Sequence, residues 1–429
     1  MERTLINKLK ENEISKISGW AKKIRNTKYM YFIILEDRSG SIQVSIEKEN
    51  NKDMCDKLEG VLTDSIIEFE GKMVLSEYVK QGGKEFIPTS LNIVSSAEAS
   101  PIEEGANIDT RLNYRWIDLR TPKNNLMLKI QSKVVEEMRN YLYENDFTEI
   151  HTPKLLGAAS ESGSEVFEVK YFNAKAYLAQ SPQFYKQMAL ASGLERVFEV
   201  APAFRAENSN TNRHATEFTS LDVEFSYIDS YEDVMSLEED MIIYALTKVK
   251  EKYENEVNEL FNTEIIIPTK PFPRIKLNDL YKELHDRYGY EIPTEDIGDM
   301  NAETEKLTSK FALEVYGSEF IFVTDFSKTK RAFYHMRKDD VPLGYDLIWR
   351  GTEITTGAQR EHRYEVLKKQ CDEKGLTKDV EFYLKFFKYG CPSHGGFAIG
   401  IDRFIMLLLD IPSVKEEMFI FRGPNRLNP

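Results

Sequence analysis

The stretch Phe204–Glu224 (FRAENSNTNRHATEFTSLDVE) limits the possible folds more than any other. Strand-forming runs at Val197–Glu207 and Thr216–Tyr227 flank a polar loop, Asn208–Asn212, and so predict a β-hairpin. Alternation sorts its side chains. Arg205 and Glu207 share one face of the first strand, with Phe204 and Ala206 on the other. On the second strand Leu221, Val223, Phe225 and Tyr227 form an apolar face suited to a core, opposite Phe218, Ser220, Asp222 and Glu224. Arg213 and His214 close the loop. Taken singly, these residues fit an ordinary surface hairpin. Together they suit a nucleotide, because a guanidinium forks onto phosphate oxygens and a flat Phe can stack on a base.

At 429 residues the chain is long enough for two or more domains. Hydrophobic residues make up 41% and charged residues 30%, the balance of a soluble globular protein. Cys55, Cys371 and Cys391 stand far apart with no CxxC pair, which argues against a disulfide framework or zinc site and fits a reducing, cytoplasmic setting. The N-terminus MERTLINKLKENE has no apolar signal core, and the run FIMLLLD (Phe404–Asp410) is too short to span a bilayer, so no membrane is expected as a partner. The net charge of −14 opposes nucleic-acid binding by the surface at large. The first 30 residues, however, hold eight Lys/Arg against three acids. A local basic patch can carry phosphate contacts, although on charge alone a solvated face is the simpler reading.

Residues 1–98 read as five strands: Ile14–Ile24, Met30–Glu36, Ser41–Glu47, Ser65–Leu75 and Glu85–Ser95. With a helix near Lys52–Leu62 they predict a small OB-type barrel, a fold that binds oligonucleotides on one sheet face. Phe32 and Gln43 fall on adjacent strands, where an aromatic can stack an unpaired base and an amide can read its edge. A polar linker with Pro101, Gly105 and Pro122 covers residues 99–125. From Leu126 the spacing of Ile130, Val134, Met138 and Leu142 predicts a helix ending near Asn145, then a strand at Phe147–His151.

Further on, Gln180–Gly193 (QSPQFYKQMALASG) predicts a helix with Ser181 as N-cap, Pro182 in the first turn and Gly193 as its stop. Gln183 and Lys186 then share a face. Tyr231–Tyr253 reads as an amphipathic helix, and residues 250–332, without a catalytic motif, read as a small insertion. In Arg350–Arg363 (RGTEITTGAQREHR) Glu353 and Thr356 offer oxygen donors for a hard cation, and Arg360 is expected to open a helix running to about Lys374. His394–Asp410 predicts a strand leading into a buried helix, with Arg403 near the helix start.

FRAE followed by RHATEF resembles motif 2 of the class II aminoacyl-tRNA synthetases, and FTEIHTPKL and HGGFAIGIDRF resemble their motifs 1 and 3. The residues around them resemble the aspartyl branch of archaeal and eukaryotic type. The resemblance runs over nearly the whole chain and is weakest from about Lys250 to Ala332. It implies an α+β protein: a five-stranded OB-type anticodon-binding barrel (1–98), a hinge (99–125) and a class II catalytic domain (126–429) with an antiparallel sheet flanked by helices. It also implies aspartate–tRNA ligase activity with ATP as substrate, Mg2+, tRNA and L-aspartate as partners, and a homodimer built on motif 1.

Carried over residue by residue, the resemblance makes Arg205 and Arg403 catalytic. It assigns ATP to Arg205, Ala206, Glu207, Arg213, His214, Ala215, Phe218, Glu353, Gly400, Ile401, Asp402 and Arg403, with magnesium on Glu353 and Thr356. It assigns aspartate to Glu161 in a mobile lid and to Gln183, Phe184, Tyr185, Lys186, Arg205, Asp222, Thr356 and Arg360. Lys186 and Arg360 would face the substrate's side-chain carboxylate. The anticodon falls to Lys22, Phe32 and Gln43. Three departures are visible: Ala398 where Gly is usual, Asp402 where Glu is usual (IDR resembles the lysyl branch), and Thr356 where Ser is usual, the hydroxyl being kept. In archaeal-type members the residue two beyond a Gly-Trp pair is Trp in strict enzymes and His in relaxed ones. Here Gly19-Trp20 leads to Lys22, which matches neither and, as a flexible side chain, implies an enzyme that charges both the aspartate and the asparagine tRNA.

Rival readings are an asparaginyl-tRNA synthetase and a paralogue that binds nucleotide or RNA without charging tRNA. Against the first, an asparagine amide would leave Lys186 and Arg360 partly unpaired, and a buried unpaired charge costs about 3–5 kcal/mol. Against the second, Arg205, Glu207, Arg403 and Glu353 are all present. An asparagine-making relative would usually lack the N-terminal barrel.

Overall fold

Alternation of buried and part-exposed residues rolls the N-terminal strands into a barrel. In the computed structural model, which describes residues 2–79, 82–157, 165–209, 211–378 and 380–429, the chain divides into two units, Met1–Gly105 and Ala106–Pro429. In the first, β1 (Ile14–Asn26), β2 (Met30–Asp37), β3 (Gly40–Glu47), β4 (Ile66–Leu75) and β5 (Lys84–Ser95) close in the order β1-β2-β3-β5-β4. Ile33, Leu35, Val44, Phe69 and Phe86 fill the interior and are fully buried, each stabilising the barrel by about 1.5–3 kcal/mol. Helix α1 (Lys52–Leu58), shorter than expected, lies between β3 and β4 and adds Met54 and Leu58 to the core. The barrel predicted from the strand spacing is therefore present.

The second unit is built on an eight-stranded sheet. Its strands are β6 (Thr148–Glu149), β7 (Arg196–Phe204), β8 (Glu217–Ser226), β9 (Arg274–Lys276), β10 (Phe320–Thr324), β11 (Gly344–Trp349), β12 (Thr352–Arg360) and β13 (His394–Gly400). They lie in the order β9-β10-β11-β12-β13-β8-β7-β6. Pairing is antiparallel inside and parallel at the two edges, β9 with β10 and β6 with β7. Helices α4 (Pro122–Glu144), capped by Thr121, and α6 (Tyr231–Phe261), opened by a Ser230/Asp233 capping box, supply much of the core on one face. That core joins Ile130, Val134 and Met138 to Leu221, Val223, Phe397 and Ile399. The opposite face keeps its polar side chains.

Three expectations are corrected. Arg360 does not open a helix: it ends β12, because its ladder with β13 continues to the pair Arg360↔His394, and helix α9 (Tyr364–Glu373) starts later. Tyr227 is not in the core: β8 stops at Ser226, and Tyr227, at φ 60, turns its ring outward to 71% exposure. Residues 250–332, expected as a small insertion, are part of the sheet itself, since they contribute β9 and β10 along with helices α7 (Leu277–Tyr288) and α8 (Ala302–Tyr316). The expected linker also folds in part. Its helices α2 (Ile108–Asn113) and α3 (Arg115–Asp118) belong to the second unit, where the buried Arg115 guanidinium donates to the carbonyls of Glu416, Met418 and Phe419. Among the described residues no helix is long and apolar enough to cross a membrane.

Candidate active site

The hairpin β7–β8 and strands β12 and β13 place one residue from each strand in a row across the sheet, Glu199, Asp222, Ala398 and Thr356. Over this face lies a cleft lined by Arg205, Glu207, Arg213, His214, Phe218, Glu353, Thr356 and Arg403, with Ala215, Ala398, Gly400 and Asp402. The predicted nucleotide residues thus converge from segments nearly 200 positions apart in sequence. Arg205 is about half exposed, its guanidinium 5.4 Å from the Phe218 ring centroid and only loosely paired with Glu207 at 3.8 Å. Arg403 sits at the start of helix α11 (Ile401–Leu408) and donates to the carbonyls of Glu353 (2.7 Å) and Arg213 (3.4 Å). Burial and then the Arg403 charge hold His214 below the usual imidazole range, against the pull of Glu207. A cleft holding Arg205, Arg213 and Arg403 is suited to a polyphosphate.

A bulge in β12 explains how Glu353 and Thr356 meet. The register against β11 slips so that Leu347 faces Thr355 while Ile348 faces Glu353. The extra residue turns Glu353 onto the face of Thr356, as bulges beside active sites often do. The Thr356 hydroxyl then lies 2.9 Å from Asp346 Oδ1 and 3.1 Å from Glu353 Oε1. Burial opposes the charge on Glu353, but Arg403 and Arg331 overcome it and keep the carboxyl low. Burial pushes Asp346 up against the pull of Arg331, which grips it through two donors at 2.8 and 2.5 Å. Among the described residues no cluster of three or more His, Cys, Asp or Glu forms a ready-made metal cage. An ionised Glu353 with an adjacent hydroxyl still fits magnesium, which commonly takes one or two carboxylates and fills its other positions from water and substrate phosphates.

Deeper in the sheet is a second constellation. Lys186, on helix α5 (Gln183–Ala191), is fully buried, with its ammonium 2.9 Å from Asp222 and 3.4 Å from Glu224. Among the described residues it nevertheless makes no well-aligned hydrogen bond. The Arg360 guanidinium donates to Glu224 (2.9 Å) and to the Gly396 carbonyl (3.0 Å). Gln183 bridges the same groups, giving its amide to Glu224 and accepting from Arg360, each at 3.3 Å. Burial opposes the charge on Glu224, yet Arg360 and Lys186 hold its carboxyl low. Sequence reasoning put Lys186 and Arg360 around one pocket and left out Glu224, with which both of them pair, although alternation had placed it on the face of Asp222.

Other expected residues divide. Ala206 ties the hairpin to the Glu165 carbonyl through its N–H (2.8 Å). Ile401 is buried in the core and does not line the cleft. Phe184 and Tyr185 turn their rings to helix α10 (Glu381–Phe387), Phe184 meeting Tyr383 at 4.5 Å and Tyr185 meeting Phe382 at 6.4 Å. Asp402 serves the scaffold, accepting from the Thr219 N–H (2.7 Å) and the Gln131 amide (3.1 Å). Glu161 lies outside the described residues. Asp346 and Arg331 were missed, because nothing in their local sequence shows that β11 pairs with β12.

In the first unit, Phe32 stacks under the Arg25 guanidinium at 4.6 Å, and Gln43 bonds Ser45. The two are diagonal neighbours, since Phe32 faces Ser45 and Gln43 faces Ile34. Lys22 sits where the β1–β2 register slips, its ammonium 3.0 Å from Asp64.

Comparison with known proteins agrees with this geometry. Residues 107–421 match the family model described as tRNA synthetases class II (D, K and N), and residues 16–94 match the OB-fold nucleic acid binding domain. The chain is 41% identical to the aspartate–tRNA(Asp) ligase of Pyrococcus horikoshii, the match covering 96% of each chain. It is 39% identical to the aspartate–tRNA(Asp/Asn) ligase of Aeropyrum pernix, over 96% of this chain and 95% of that one. Among solved structures, the asparaginyl-tRNA synthetase of P. horikoshii complexed with asparaginyl-adenylate superposes with a TM-score of 0.91 at 28% identity over the whole of both chains. The aspartyl-tRNA synthetase of Entamoeba histolytica gives 0.87 at 29%, over 100% of this chain and 93% of that one. An OB barrel, motif 2 and motif 3 arginines in one cleft, and a family match over most of its length make this chain a member of the class II aminoacyl-tRNA synthetases of the aspartyl, lysyl and asparaginyl group.

Proposed function

We propose that the protein is an aspartate–tRNA ligase, which joins L-aspartate to ATP and passes the aspartyl group to the 3′ end of tRNA. The observation that carries the choice of amino acid is the buried Lys186 ammonium, with hydrogen-bonding capacity unspent, beside Arg360. Asp222 and Glu224 pair with these two cations and hold them in place before substrate arrives. A side-chain carboxylate meets two cations there, whereas the asparagine amide meets them with a neutral group and a lysine is repelled. Asp222 receives the substrate α-ammonium in this reading.

The aspartate α-carboxylate is ionised at neutral pH and attacks the ATP α-phosphorus without a general base. The new C–O–P linkage forms as the bond to pyrophosphate breaks. Arg205 holds the α-phosphate, Arg213 and Arg403 hold the outer phosphates, and Phe218 stacks on adenine. Glu353 and Thr356 would hold magnesium, which when bound supplies positive charge to the phosphate oxygens. The terminal ribose hydroxyl of tRNA then attacks the aspartyl carbonyl, and AMP leaves. The protein acts in this reading as a homodimer in the cytoplasm.

The tRNA choice is relaxed in this reading, covering aspartate and asparagine tRNAs. Lys22 supports it: the side chain is drawn to Asp64 and presents no flat wall against an anticodon base. Two measurements test the function. Aspartate-dependent ATP–pyrophosphate exchange in magnesium, without tRNA, is expected, and faster exchange with asparagine would overturn the amino-acid assignment. Both purified transcripts should be aspartylated. A preference above about a hundredfold, or ~2.7 kcal/mol, would overturn the relaxed reading.

A further inference from the structure

We propose that Glu305, from the segment without a motif, is a positioning residue that holds Arg213 ready for the outer phosphates of ATP. The inference rests on the ligase reading for the identity of the nucleotide. Glu305 lies in the first turns of α8, which Asn301 caps, and its side chain is 7% exposed. Its Oε2 accepts both from the Arg213 guanidinium and from the Glu353 N–H (3.0 Å). One helical turn on, Ser309 Oγ accepts the Gly351 N–H (2.6 Å). One face of α8 therefore fastens the start of β12, which carries Glu353, and the loop arginine that faces the same cleft.

Charge explains why a carboxylate is needed. Arg205, Arg213 and Arg403 line one cleft and repel one another, and among the described residues Glu305 is the carboxylate paired with Arg213. Arg213 stands on the polar loop between β7 and β8, where no strand ladder fixes it. Without Glu305 its guanidinium would turn to solvent, and ATP would have to order it on binding. With Glu305 that ordering is complete before the nucleotide arrives, the condition under which a charged donor contributes most.

Glu305→Gln keeps the shape and an acceptor for the Glu353 N–H but removes the charge. In ATP–pyrophosphate exchange we expect about a tenfold higher KM for ATP with the KM for aspartate unchanged within twofold. Arg213→Ala should raise the KM for ATP as well, and the double variant should lose no more than Arg213→Ala alone, because both changes remove one interaction. A purely structural role would lower the thermal midpoint and move both KM values together. An unchanged KM for ATP in Glu305→Gln, or losses that multiply in the double variant, would overturn the proposal. Calorimetric ATP binding without amino acid keeps the two readings apart. Absent exchange in the wild type would sink the ligase reading, whereas ATP binding equal in wild type and Glu305→Gln would sink this one.

Discussion

Arg360 and Glu224 come from strands that are not neighbours, and they meet across β13, which lies between them. Arg360 Nε is 2.9 Å from Glu224 Oε1, over Gly396. A Cβ at Gly396 would stand 2.4 Å from the Glu224 carboxylate, so the pair needs glycine there. The guanidinium that would choose aspartate is thus fixed before substrate binds.

Arg360→Lys tests that fixation. A lysine keeps the charge but cannot grip Glu224, Gln183 and the Gly396 carbonyl from one planar fork. Aspartate-dependent exchange is expected to fall by about 10², or ~2.7 kcal/mol, and the preference for aspartate over asparagine to narrow. Steady-state kinetics with both amino acids reads both effects.

Arg205→Ala should leave the fold intact, because the side chain is half exposed and only loosely paired. Loss of a donor that acts on transition-state charge costs on the order of 10²–10³ in rate. Exchange near the wild-type rate, in a variant with an unchanged thermal midpoint, would show that the hairpin is not the site.

Glu238 sets a pH dependence. It is fully buried on α6 beside Tyr345, whose hydroxyl donates to it at 2.7 Å, and burial pushes its carboxyl to about 8. The folded state therefore keeps a proton that the unfolded chain releases near the ordinary value of 4.5. Stability from this group is fully present below that value, falls as pH rises toward 8 at up to ~1.4 kcal/mol per unit, and is level above it. Glu238→Gln removes that slope, so its stability relative to wild type should climb between pH 5 and 8. Denaturant midpoints across that range measure it.

Motif 1 predicts a homodimer. On α4 the Tyr143 ring is half exposed, with its hydroxyl bonded to Glu149, and it borders a groove with Gln131, Val135 and Arg139. A groove bordered by an exposed aromatic on the motif 1 helix suits a two-fold interface. Sedimentation at micromolar protein should give a dimer, and Tyr143→Asp should shift it toward monomer. A wild-type protein that sediments as a monomer would count against the interface.

Strand-forming runs and turn signals placed the five barrel strands within a few residues, and period-two alternation sorted Leu221 and Val223 into the core, because which face a strand side chain takes is a local matter. The same local rules identified α5 and the β13–α11 unit and drew attention to Arg205, whereas the resemblance to class II synthetases singled out Lys186 and Arg403. The local rules failed where the chain's course was set by distant neighbours. Arg360 continues a strand because β13 offers it a ladder, and Tyr227 leaves the core because β8 ends one residue earlier.

What only the tertiary structure decided is pairing. Asp346 meets Thr356 through the β11–β12 register, the bulge beyond it brings Glu353 to the same hydroxyl, Glu224 meets Arg360 across 136 residues of sequence, and Glu305 reaches Arg213 from a helix with no motif. Residue types state which charges a chain can bring to a site, and spacing states the face on which each stands. Which carboxylate answers which cation depends on sheet order and on burial, where an unpaired charge is costly. Both are properties of the folded chain.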